Sequence, residues 1–157
     1  MKQGDILLVA YRFDPLCWLI RKGTCSNWSH TAWVLNKTDY ISANGTAIRI
    51  NKIKKLKNKL LYRIKAIRLK NISYKQIRKV SSILKKQQYH YNYFKFILNF
   101  FCLYFTCKRK YNIPTCSFLI ASALEKENYI IKKTNLKYIV PEDFNKHKYS
   151  IDVSDEL

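Results

Sequence analysis

Thr115-Cys116-Ser117-Phe118-Leu119-Ile120-Ala121 opens an apolar, helix-like run. Pro114 breaks what precedes it, and Thr115 has the side chain of an N-cap, so the spacing predicts a helix from Cys116 to about Glu127. A thiol at that position feels the positive end of the helix dipole and loses its proton more easily. Far upstream, Ser29-His30-Thr31-Ala32 begins an alternating run that predicts a strand to Leu35. His30, Ala32 and Val34 would share one face, with Thr31, Trp33 and Leu35 on the other. An imidazole within hydrogen-bond reach of the thiol can hold its proton or return it to a leaving group.

Outward from these two segments the chain alternates short elements. Gly4-Asp5 before Ile6 to Ala10 reads as a turn entering a buried strand. Asp14-Pro15 reads as an N-cap with proline at the first helical position, opening a short helix that ends near Gly23. Tyr40 to Ala43 is a strand, Asn44-Gly45 a hairpin signal, and Thr46 to Ile50 the returning strand. Asn51 to Lys59 is a Lys-rich connector in which Ile53, Leu56 and Leu60 are spaced for a short amphipathic turn. Leu61 to Leu69 alternates as a half-buried strand. Tyr74 to Gln88 carries Ile77, Val80, Ile83 and Leu84 on one helical stripe. Ile139 to Phe144 predicts a short helical turn and Tyr149 to Val153 a last strand. The chain has no internal repeat and no low-complexity linker, so residues 1–157 read as one domain of small α and β elements around one sheet.

The longest apolar stretch is Phe96 to Cys107, flanked by Lys95 and by Lys108-Arg109-Lys110. It falls short of the about 20 residues that span a bilayer. A buried core helix is the first reading, and an interfacial helix with basic flanks the second.

Thirty Lys and Arg against ten Asp and Glu give a formal net charge of +20. Such a surface attracts polyanions: nucleic acid, anionic membrane or cell-wall polymer. The simpler source is an AT-rich coding sequence, since Lys, Ile, Asn, Tyr and Phe abound while Gly and Pro number three each. Lysine is a compact charge with little geometric specificity, so no specific nucleic-acid site is predicted.

Cysteines stand at 17, 25, 102, 107 and 116, with no Cys-x-x-Cys pair and no His/Cys set beside Cys102 and Cys107. This pattern predicts neither a zinc site nor any other metal or cofactor. Cys102 and Cys107 read as core, Cys17 and Cys25 as structural. His90, among Tyr89, Tyr91 and Tyr93, reads as a surface or packing residue, and His147 as solvated in a basic tail. Met1 to Asp5 is polar and Ile6 to Ala10 too short for a secretory signal, so a reducing cytoplasmic setting is expected, with membrane-peripheral attachment as the alternative.

The ordered set of Gly4-Asp5-Ile6-Leu7-Leu8-Val9, Asn27 to Leu35, Tyr40-Ile41-Ser42-Ala43 with Gly45 after it, Thr115 to Ile120, and Val140-Pro141-Glu142-Asp143-Phe144 resembles the circularly permuted branch of the NlpC-type cysteine hydrolases. The YiiX-like group is nearest in pattern, and lecithin:retinol acyltransferase is a more distant relative. The resemblance implies an α+β, permuted papain-like fold, with a small antiparallel sheet packed on helices. It implies Cys116 as nucleophile and His30 as base, in the reverse order from papain. The family often carries Glu where this chain has Ser42. Ser42 can accept a hydrogen bond from the imidazole but carries no charge to stabilise imidazolium. Asn44, two residues on, is the alternative orienter. The implied activity is thioester-based cleavage or transfer at an amide or ester, on a peptide, muropeptide or lipid-acyl substrate. An inactive papain-like module that binds polyanions is the competing expectation.

Overall fold

The computed structural model describes residues 1–44, 47–58, 60–87, 115–131 and 139–157. The apolar stretch Phe96 to Cys107, the tyrosines around His90, and the hairpin tip at 45–46 lie outside the described residues. The elements run β1 (Ile6–Tyr11), α1 (Pro15–Thr24), β2 (His30–Val34), β3 (Asp39–Asn44), β4 (Ala47–Lys52), a 3-10 turn (Ile53–Lys57), β5 (Tyr62–Leu69), α2 (Tyr74–Lys86), α3 (Cys116–Glu125), α4 (Pro141–Asn145), β6 (Ser150–Asp152) and a closing 3-10 turn (Ser154–Glu156). The six strands form one sheet in the order β4-β3-β2-β1-β5-β6, and every neighbouring pair is antiparallel. The class is α+β.

Local chemistry explains the helix ends. The Asp14 side chain accepts from the Leu16 and Cys17 amides while Pro15 supplies a preset φ at the first helical position. Ser73 and Gln76 form a reciprocal capping box at the start of α2. Thr115 Oγ1 accepts from the Phe118 amide at 3.1 Å, which fixes where α3 begins.

The sheet has two buried faces, as the uninterrupted apolar run of β1 requires. On one face Ile6, Leu8, Trp33, Ile41 and Ile67 pack with Val80 and Leu84 of α2, Ile120 and Leu124 of α3, and Phe144 of α4. On the other, Leu7, Val9, Ala32, Val34 and Tyr40 pack with Ile53 and Leu56 of the first 3-10 turn, and Val153 and Leu157 lie against them. Two polar side chains within the helix-covered face, Trp33 and Ser81, are paired. Trp33 Nε1 donates to Ser81 Oγ at 3.0 Å, and Ser81 in turn donates to the Ile77 carbonyl.

Gly4 enters β1 at φ +93°, and a Cβ there would stand 2.9 Å from the Ile77 side chain. Asp5, wholly buried, is held by Arg68 in a two-pronged pair at 2.7 and 2.9 Å. The same guanidinium makes a second such pair with Glu156.

Two expectations are corrected. Leu60 does not join the stripe of Ile53 and Leu56; it is 76% exposed. Its amide donates to Asn58 Oδ1 and the chain reverses there into β5, carrying the side chain past the turn that would have covered it. His147 is not solvated in a tail. It is half-buried, with its ring 5.9 Å from that of Tyr129 and 5.6 Å from that of Tyr149, and burial holds its pKa down.

Candidate active site

Cys116 is the first residue of α3, and His30 the first of β2. The antiparallel register sets Val9 of β1 beside His30. α3 lies across β2, where Thr31 Oγ1 and Ser117 Oγ meet at 3.3 Å in the buried interface. That contact brings the start of the helix onto the start of the strand. The Thr31 backbone N–H donates to Cys116 Sγ at 3.4 Å, and the His30 side chain is close enough to the same sulfur to act on its charge.

The thiol is half-buried, and burial by itself pushes its pKa up. The charge of His30, the hydrogen bond with its side chain and the hydrogen bonds from Thr31 outweigh that effect and bring the thiol down from 9.0 to about 6. The thiolate is therefore the dominant form at neutral pH. Cys17 shows the opposite balance. It is buried in α1, and its pKa is raised to about 12, chiefly by burial. Cys25 is exposed at the C-cap of α1 in the left-handed region, at φ 48°.

The loop that delivers His30 is held from two sides. Arg63 of β5 lies over the Trp28 ring at 4.7 Å and donates to the Asn27 carbonyl at 2.6 Å. Glu142 of α4, buried, accepts from the Asn27 amide at 3.1 Å and from Asn145 Nδ2 at 2.7 Å. Thr31, Ser117, Arg63 and Glu142 carry no catalytic signature in the sequence. The Pro141-Glu142-Asp143-Phe144 segment was the one visible hint among them, and it gave no partner.

Ser42 lies in β3 and is buried. Strands β2 and β3 pair at Trp33–Ile41 and Val34–Tyr40. Continued along β2, this register sets Ser42 beside Ala32 and Asn44 beside His30, so the backbone of Asn44 is the nearer of the two to the imidazole's strand position. His30 Nε2 is buried and makes no hydrogen bond among the described residues.

The arrangement can do thiol chemistry: an ionised nucleophile at a helix start, with an imidazole to accept and return protons. Set against protein-family models and curated proteins, the chain has no match.

Proposed function

We propose that this protein is a cysteine hydrolase or acyltransferase acting on amide or ester bonds through a thioester on Cys116. The observation that carries the reading is the His30 side chain beside a Cys116 thiol whose pKa is about 6. The thiolate attacks a carbonyl carbon, and the developing oxyanion lies at the first turn of α3, where the Cys116 and Ser117 amides have no intrahelical acceptor. As the tetrahedral adduct collapses, His30 gives a proton to the departing amine or alcohol and leaves an acyl group on sulfur. His30 then takes a proton from water, or from another acceptor, as that oxygen attacks the thioester and frees the thiol.

The resemblance to the permuted NlpC-type hydrolases supports the same chemistry and suggests peptide, muropeptide or lipid-acyl substrates. Among the described residues no carboxylate forms an ion pair with His30, and the group whose charge it acts on is the Cys116 thiol.

The test is direct trapping. Incubation with p-nitrophenyl acetate followed by intact-mass and peptide mapping should show an acetyl group on Cys116 that hydroxylamine removes. Cys116→Ala should show none, and His30→Ala should acylate more slowly by about 10²–10⁴. Equal labelling of wild type and Cys116→Ala would overturn the reading.

A further inference from the structure

Beyond β1 and β5 the antiparallel ladder continues for one more hydrogen bond, from the Arg12 amide to the Leu61 carbonyl at 2.9 Å. Phe13 and Leu60 each lie one residue beyond that bond. These residues are large, apolar and uncovered: Phe13 is 79% exposed, Leu60 76% and Leu61 45%. α1 begins two residues after Phe13 and exposes Pro15, Trp18 and Lys22. Trp18 is 50% exposed, with the Lys22 ammonium 6.0 Å from its ring centre. Phe13, Leu60 and Leu61 around one backbone hydrogen bond, with Trp18 on the helix that follows, are apolar side chains held in water, and such groupings mark interaction surfaces.

The charges next to them in the chain are mostly positive. Arg12 and Lys22 are exposed within the patch, and Lys54 and Lys55 are exposed on the turn leading to Leu60. From residue 6 to residue 38 the only carboxylate is Asp14, which is occupied with capping α1, and from residue 40 to residue 124 there is none. Apolar tips ringed by cations match a bilayer surface with anionic headgroups, where the tips enter the acyl boundary and the cations meet phosphate and carboxylate. Nucleic acid fits less well, because the aliphatic Leu60 and Leu61 offer a base nothing to stack on.

We propose that Phe13, Trp18, Leu60 and Leu61, with Arg12 and Lys22, form a docking surface for an anionic phospholipid bilayer. The surface lies off the same end of the sheet as the candidate active site: Val9 pairs with His30, and Arg12 is three residues further along β1, about 10 Å by strand rise. Docking there would hold the Cys116–His30 end of the molecule close to the membrane. The inference stands on the exposed surface and does not depend on thiol chemistry.

Flotation with vesicles of phosphatidylcholine, with and without phosphatidylserine, tests it. The wild type and Cys116→Ala should both float with phosphatidylserine vesicles, and much less with phosphatidylcholine alone. Phe13→Glu combined with Leu60→Glu should weaken the affinity about tenfold or more, with an unchanged far-ultraviolet circular dichroism spectrum. Tryptophan emission should shift to the blue on binding, and Trp18→Phe should remove that shift, since Trp28 and Trp33 are already buried. Vesicle binding that survives the double Glu substitution, binding to RNA but not to vesicles, or no flotation at low salt would each overturn the proposal. Loss of acylation in Cys116→Ala with flotation intact separates the two readings.

Discussion

The Thr31 backbone N–H points at Cys116 Sγ, 3.4 Å away, so one strand residue serves the sulfur through its amide and the helix through its hydroxyl contact with Ser117. The Cys116 thiol is thus tied to the same three-residue stretch, His30-Thr31-Ala32, that supplies the imidazole. A shift of α3 along the sheet would strip the thiolate of both stabilising contacts together.

That coupling predicts how the thiols titrate. Because the Cys116 pKa is lowered to about 6, its alkylation rate should climb as pH rises through about 6 and level off above it. His30→Ala removes the positive charge that most favours the thiolate, so the midpoint should move upward. Cys17, raised to about 12, should remain unmodified throughout neutral pH. Iodoacetamide rates between pH 5 and 9, resolved by peptide mass mapping, measure all three. A Cys116 midpoint that is the same in wild type and His30→Ala would contradict the geometry.

Arg68 neutralises a carboxylate that has no access to water. Arg68→Ala leaves Asp5 buried without its cation and should cost about 3–5 kcal/mol, read as a lower denaturant midpoint in urea. The same guanidinium, with the terminal amine, draws the Glu156 pKa down from 4.5 to about 2. A depressed carboxylate lends stability that is complete above its unfolded pKa and is lost as pH falls through the folded one. This contribution should therefore fade between about pH 4.5 and pH 2, and Glu156→Gln should flatten the acid limb of the stability curve over that window.

Glu142 holds the loop that leads into His30. Glu142→Ala leaves the Asn27 amide and the Asn145 side chain without their acceptor and should cost about 1–3 kcal/mol. The loosened loop should also slow Cys116 alkylation near pH 7, because His30 is delivered by that loop. Glu142→Gln keeps an acceptor oxygen and should recover part of both effects. Thermal melts together with alkylation rates distinguish this from simple destabilisation: an unchanged alkylation rate in folded Glu142→Ala would remove Glu142 from any positioning role.

What could be read from the amino acids was what depends on near neighbours. Asp14-Pro15 and Thr115-Cys116 announce their helices because a cap needs only the next three residues. The alternation from Thr31 to Val34 separates the two faces of β2 as the packing does, whereas His30, expected on the face of Ala32 and Val34, acts on Cys116 at the start of α3, whose residues pack on the other face. What could not be read depends on residues far apart in the chain. Nothing near Asp5 names Arg68 as its partner, and the basic alternation of β5 offered several equal cations. Arg63 over Trp28 and Glu142 under Asn27 arise from packing between elements that share no local pattern. Leu60 and His147 depart from their local pattern for the same reason: their spacing and neighbours suggest one environment, and the turn at Asn58 and the rings of Tyr129 and Tyr149 supply another.

The tight entry at Gly4 limits how this protein can vary. Its φ of +93° is disfavoured for any side chain, and Ile77 already fills the space a methyl group would need. Two unrelated obstacles thus stand at one position, and relieving either alone would be insufficient. A saturation library read out by soluble yield should return glycine almost alone at residue 4, even after Ile77 is trimmed to alanine.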